Sequence, residues 1–131
     1  MDALDEMRAL LKSAGYTVRG KYPREEWISP ITRRAVLIMN LDKSTIRLCA
    51  QNIGMYADRI PKSLERAIEH APNCGGGCKP WGGKACEGGW SFTLNGQELK
   101  KCRYGSFMFK MVDTYLNDLR DMLKMELESR I

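Results

Sequence analysis

Between Cys74 and Cys102 the chain reads Cys74-Gly-Gly-Gly-Cys78, then Cys86, then Cys102, with seven glycines from Gly75 to Gly89. Four of the five cysteines of this 131-residue chain lie in that stretch. Glycine loses more conformational freedom on ordering than any other residue, so apolar contacts alone do not hold such a segment in one shape. Another kind of constraint is needed, and four thiols are the candidate.

The residues after the loop give those thiols a geometry. Trp90, Phe92 and Leu94 alternate with Ser91 and Thr93, the period of a half-buried strand. Asn95-Gly96 is the strongest short hairpin signal, because a type I′ turn needs positive φ at both central positions. A two-residue turn there pairs Leu94 with Gln97, Phe92 with Leu99 and Gly89 with Cys102. Cys102 then lies across the ladder from a residue three places after Cys86, and cross-strand neighbours stand about 4.5–5.5 Å apart. Folding the glycine-rich loop back brings Cys74 and Cys78 to the same place.

A tetrahedral zinc ion takes four thiolates at about 2.3 Å. The expected site is one structural zinc held by Cys74, Cys78, Cys86 and Cys102. With sulfur in all four positions no coordination site stays open for water or substrate, which reads as structural rather than catalytic metal. Lys79, Lys84, Lys101 and Arg103 flank the thiols and are expected to offset their negative charge. His70 reads first as a surface histidine at a helix end, and substitution for one cysteine ligand is its alternative role. Cys49, beside Leu48, reads as a small core residue.

The remainder of the chain is predicted to frame this unit. Leu4, Met7, Leu10 and Leu11 at helical spacing, followed by Gly15, mark a helix from Ala3 to Ala14. Tyr16 to Gly20 suits a short strand. The region from Pro23 to Pro30 reads as loop with one helical turn at Arg24-Glu25-Glu26-Trp27. Ala35–Met39 and Thr45–Cys49 form a hairpin around Asp42-Lys43-Ser44. Ile53 to Arg59 suits a short helix, and another begins at Pro61, presents Leu64, Ala67, Ile68 and Ala71 on one face, and stops by Pro72. Glu98–Arg103 is the return strand of the second hairpin and Ser106–Phe109 a further strand. A long amphipathic helix runs from Val112 to Leu127, capped by Asp113 or Thr114. Met7, Met108, Met122 and Met125 are expected at core or helix-face positions, and Trp27 and Tyr22 as core or loop anchors.

The order α-β-β-α-loop-β-β-β-α indicates a single α+β domain over residues 1–131. It is an antiparallel sheet with helices on one side and a Cys-rich metal-binding loop. Residues 72–103 form its loop-plus-hairpin subregion. The acidic, helical N-terminus is no signal peptide, and no apolar run approaches the roughly 20 residues that span a bilayer. A cytoplasmic location follows as the expectation, where reduced thiols bind metal or react rather than form structural disulfides.

Thr45-Ile46-Arg47-Leu48 with Ile53 and Tyr56, the Cys/Gly loop, and Phe92-Thr93-Leu94-Asn95-Gly96 with Lys101-Cys102 and Phe107-Met108-Phe109 together resemble a group of small uncharacterised bacterial proteins. The resemblance extends from about Lys43 to the C-terminus. It implies that the loop and hairpin are one unit and brings no activity with it.

Three classes of function are consistent with these residues. The first is a zinc-stabilised binding module for a protein or nucleic-acid partner. The second is a thiol redox sensor that uses the same four cysteines. The third is a nucleic-acid or transcription-associated protein, for which the net charge of +5 is mild and scattered. An enzyme is not expected: there is one histidine, and no phosphate-binding glycine loop, nucleophile elbow or His-Glu-x-x-His helix.

Overall fold

A computed structural model of the chain describes residues 2–74, 89–102 and 107–130. They form a single α+β domain. Helix α1 spans Ala3–Ser13; the Asp2 carboxylate accepts from the Asp5 N–H at 2.8 Å, and Met7 and Leu11 are buried. Gly15, at φ +84°, lets the chain turn out of the helix.

Five strands then build an antiparallel sheet: β1 Thr17–Arg19, β2 Arg24–Ile28, β3 Ala35–Asn40, β4 Thr45–Leu48 and β7 Phe107–Lys110, in spatial order β1-β2-β3-β4-β7. The helical turn expected at Arg24-Glu25-Glu26-Trp27 is instead the middle of β2. Its neighbours on both sides decide the matter: Trp27 pairs with Val18 and Leu37, and Glu26 with Arg19 and Ile38. The local sequence carries no alternation strong enough to show this, because Glu25 points inward and is satisfied there by Arg8 and the Trp27 indole N–H.

The β3–β4 hairpin forms as expected around Asp42-Lys43-Ser44. The Lys43 N–H donates to Asn40 Oδ1 at 3.0 Å, and Ser44 takes positive φ. Ile53–Arg59 is two 3₁₀ turns, Ile53–Met55 and Ala57–Arg59, rather than one helix. Helix α2 is Lys62–Glu69, with Pro61 at its N-cap and His70 at its C-cap.

A second, two-stranded sheet joins β5 Trp90–Leu94 to β6 Gln97–Lys101. Leu94 pairs with Gln97 and Phe92 with Leu99, across a turn in which Asn95 and Gly96 both take positive φ. Helix α3, Asp113–Ser129, closes the chain. Val112 occupies its N-cap without a side-chain bond, in place of the expected Asp113 or Thr114. Asp113 is the first helical residue, where its charge faces the positive helix end.

Cross-strand pairing sorts the large sheet into two faces. Trp27, Leu37, Met39, Ile46, Leu48, Phe107 and Phe109 are buried on the inner one. They share one core with Met7 and Leu11 of α1, Leu64 and Ile68 of α2, Leu119, Met122 and Leu123 of α3, and Phe92 and Leu94 of β5. Phe92 stands edge-on to Phe107, with centroids 6.5 Å apart. The opposite face carries Glu26, Ile38, Arg47 and Met108 in one cross-strand row. Arg47 and Met108 are exposed there, so Met108 is not the core residue its neighbours Phe107 and Phe109 suggest. Tyr22 is exposed as well, whereas Trp27 is buried.

Candidate metal centre and a buried polar network

Cys74 and Cys102 are brought together by backbone pairing. The segment before the glycine-rich loop lies along the free edge of β6, with Asn73 bridged to Lys101. The Cys74 N–H donates to Lys100 O, and the Cys102 N–H donates to Pro72 O, both at 2.9 Å. Asn73 and Lys101 therefore share one face of this three-strand ribbon. Cys74 and Cys102 fall on the other, at diagonal positions about 7–8 Å apart along the backbone. Two thiolates on one zinc ion stand roughly 3.7 Å apart, a gap that two cysteine side chains leaning together close.

Gly89 completes the corner. A Cβ built on it would lie 2.2 Å from Lys101 O and 2.6 Å from Cys74 Cβ. Three segments meet there at a distance only glycine allows. Cys78 and Cys86, with Lys79, Lys84 and Arg103, lie outside the described residues. Among the described residues no group of three or more His, Cys, Asp or Glu side chains gathers at a metal-sized site. His70 is exposed at the C-cap of α2.

Lys101 departs from the role expected of it. Its side chain is buried, and Nζ donates to Glu69 O at 2.6 Å, Ala71 O at 3.0 Å and Asn73 Oδ1 at 2.9 Å. It caps the C-terminal carbonyls of α2, where the helix dipole favours a cation. Burial pulls the ammonium below its ordinary value, and the Glu69 carboxylate opposes this. Strand alternation turns it away from the cysteine face, so its charge is spent on the helix rather than on thiolates. The single apparent signal, a lysine next to a cysteine, pointed to the wrong partner.

At the end of the molecule where α3 terminates, a second polar cluster was not foreseen. Glu126 is fully buried. Its carboxylate accepts from Tyr56 Oη at 2.6 Å, Arg130 Nε at 2.6 Å and the Asn52 N–H at 3.2 Å. Arg130 also donates to Cys49 O at 2.9 Å and to Tyr16 Oη at 3.3 Å. Asn52 Nδ2 ties in Ser129 O at 3.3 Å. Burial, and then the Glu126 charge, push the Tyr56 hydroxyl far above its usual range. Burial works against the Arg130 charge, but the Glu126 hydrogen bond, the Glu126 charge and the Tyr16 hydroxyl together outweigh it and hold the guanidinium above its ordinary value. Burial also raises the Cys49 thiol, which makes it unreactive.

In sequence, Glu126 and Arg130 form an ordinary i, i+4 pair that reads as a solvated helix face. The available clue was the helix pattern itself: Glu126 falls on the stripe of Leu119, Met122 and Leu123.

A cavity of about 660 Å³ opens above this cluster. Its walls come from Leu10, Ser13 and Ala14 at the end of α1, Tyr16, residues 29–32, Gln51 and Asn52, and Lys124 with residues 127–130 at the end of α3. The Ser29 hydroxyl oxygen accepts from the Ile31 and Thr32 N–H groups, both at 3.2 Å, which fixes the 29–32 wall.

No helix among the described residues is long and apolar enough to cross a membrane. No protein-family model matches the chain, and no curated protein or solved structure matches it.

Proposed function

We propose that the chain is a small zinc-stabilised binding module of a reducing, cytoplasmic environment. One structural zinc ion is held by Cys74, Cys78, Cys86 and Cys102. The observation that carries this reading is the β6 edge pairing, which sets Cys74 and Cys102 on one face of a ribbon despite the 27 residues between them in the chain. The donor set fits zinc in kind: four sulfurs, and a glycine corner that lets three segments close up. The metal's part is to order the loop that joins Cys74 to Gly89 and so present that loop to a partner. The ion takes no part in a reaction.

Elemental analysis of purified protein is expected to give one zinc per chain. Cobalt exchanged for it should produce the intense charge-transfer and visible bands of a tetrahedral thiolate site. Cys102→Ser should lower the zinc content and the ligand-field intensity together. Metal-free protein that keeps its amide spectrum and melting temperature, with no zinc uptake on titration, overturns the reading.

The same four thiols acting as a redox sensor is the alternative for this ribbon. Mild peroxide then consumes thiols pairwise in metal-free protein, whereas a structural zinc site resists. A nucleic-acid reading has its own observation, the outer sheet face. Arg47 and Lys110 stand there at diagonal positions, both exposed and without an ion pair among the described residues. An affinity for single-stranded DNA that falls steeply with salt is the mark of that reading.

A further inference from the structure

The cavity at the end of α3 has no role in the metal reading and shares no residue with the cysteine ribbon. Three observations about it converge. Its volume of about 660 Å³ is within the range of small-molecule sites, roughly 300–1,000 Å³. Its lining divides into an apolar wall and a polar floor. Leu10, Ala14, Pro30, Ile31 and Leu127 form the former. Ile31 is 80% exposed, a large apolar side chain at the rim.

The floor is the third observation. Arg130 lines the cavity, and its partner Glu126 lies behind it. A guanidinium has five N–H donors. Three are taken by Glu126, Tyr16 Oη and Cys49 O, which leaves two on the terminal nitrogens. The Ser29 hydroxyl accepts two backbone N–H bonds and keeps its own proton to donate. Lys124 adds a second cation at the rim, against the single lining carboxylate of Glu128. The negative end of α1 is already met by Lys12 in its last turn, and that of α3 by Arg130 at its C-cap.

Energetics point the same way. Burying an ion pair gains little or no stability over apolar residues of the same volume, because desolvation cancels the attraction. Such a pair is explained when it holds a charged group rigid for another purpose. Here the Glu126 carboxylate, the Tyr16 hydroxyl and the Cys49 carbonyl hold the guanidinium, with free donors left over.

We propose that this cavity binds a small amphipathic carboxylate. The acid group lies on Arg130, with Lys124 and the Ser29 hydroxyl as further donors, and an aliphatic or aromatic body packs along Leu10, Ile31 and Leu127.

The test uses the full chain and three matched probes, hexanoate, 1-hexanol and hexylamine, followed by amide chemical shifts. Hexanoate at millimolar concentration is expected to shift the amides of Ser29, Ile31, Thr32 and Asn52 saturably. Hexanol should bind about tenfold more weakly, the worth of one charge-assisted hydrogen bond. Lys124→Gln, at an exposed site, should weaken hexanoate but leave hexanol unchanged. Ala14→Trp, also at an exposed site, should fill the cavity and abolish binding of both at an unchanged melting temperature. No saturable shift with hexanoate on the unaltered protein overturns the proposal. Equal affinity for hexanoate and hexanol, or a preference for hexylamine, overturns its carboxylate recognition. Because zinc content is read separately, failure here leaves the metal reading intact, and the reverse holds.

Discussion

The two ends of this domain spend buried charge in opposite ways. At the end of α3, Glu126 and Arg130 are buried as a pair and each is met by further hydrogen bonds, so the cost of desolvation is shared among Tyr56, Asn52, Tyr16 and Cys49. At the β6 edge, Lys101 is buried alone, and neutral oxygens at the end of α2 receive it. The first arrangement closes its charge balance within itself, with two guanidinium donors of Arg130 left over. The second leaves Cys74 and Cys102 on the far face of the same ribbon. A buried charge thus answers another charge in one region, and in the other it caps a helix beside the two thiols on which the zinc proposal rests.

The largest effect is expected where the closed network is opened from one side. Glu126→Ala strands the Arg130 guanidinium in a buried site and should cost about 3–5 kcal/mol in chemical denaturation. Replacing both residues by leucine should recover most of that loss. If the single variant unfolds no more easily than the wild type, the network is not the closed unit described, and the comparison fails.

Next comes Gly89→Ala, which probes the opposite region. Its methyl group meets Lys101 O and Cys74 Cβ far inside contact distance, and overpacking of this kind costs about 1–3 kcal/mol. The contrast sharpens if this variant also loses zinc, because the ribbon and the metal then depend on the same corner. Full stability with full zinc content would mean that the three segments do not meet as described.

The smallest effect is Tyr56→Phe, expected to cost about 1–2 kcal/mol for one buried hydrogen bond to a charged group. Its sign with pH is specific. The folded Tyr56 hydroxyl is raised above its ordinary value of 10.0. Its contribution is therefore complete below that pH and is lost as the pH climbs, because only the unfolded chain releases the proton. Melting curves of the two proteins should converge above pH 10. A constant gap up to pH 11 places the hydroxyl in water rather than against Glu126.

Local patterns were a good guide where one residue type has one job. Asn95-Gly96 set the β5–β6 register, so that Gly89 and Cys102 fall at the continuation of the ladder. The apolar stripes of α1 and α3 pointed to Met7, Leu11, Leu116, Leu119, Met122 and Leu123, which are buried in the core. The failures share a cause. Arg24 to Trp27 became a strand because two neighbouring strands accept it, and nothing inside the four residues reports those neighbours. Lys101 was read by its adjacency to Cys102, yet adjacent residues of a strand face opposite ways, and its partners come from residues 69–73. Glu126 carries no sign of its partners in the sequence, because Tyr56 and Asn52 reach it from about 70 residues away.

Taken alone, the order of residues determined the turns, the helix stripes, the α+β class and four cysteines around one glycine-rich stretch. These are properties of short range, governed by backbone sterics and by the period of side chains along an element. Which residues meet across the molecule was decided only in three dimensions: strand β2, the cap that Lys101 places on α2, the Cys74–Cys102 ribbon and the Glu126–Arg130 pair beneath the cavity. Those contacts join segments as far apart as 114 residues, as between Tyr16 and Arg130. A polar side chain states how many bonds it needs, and only the folded chain supplies the partners.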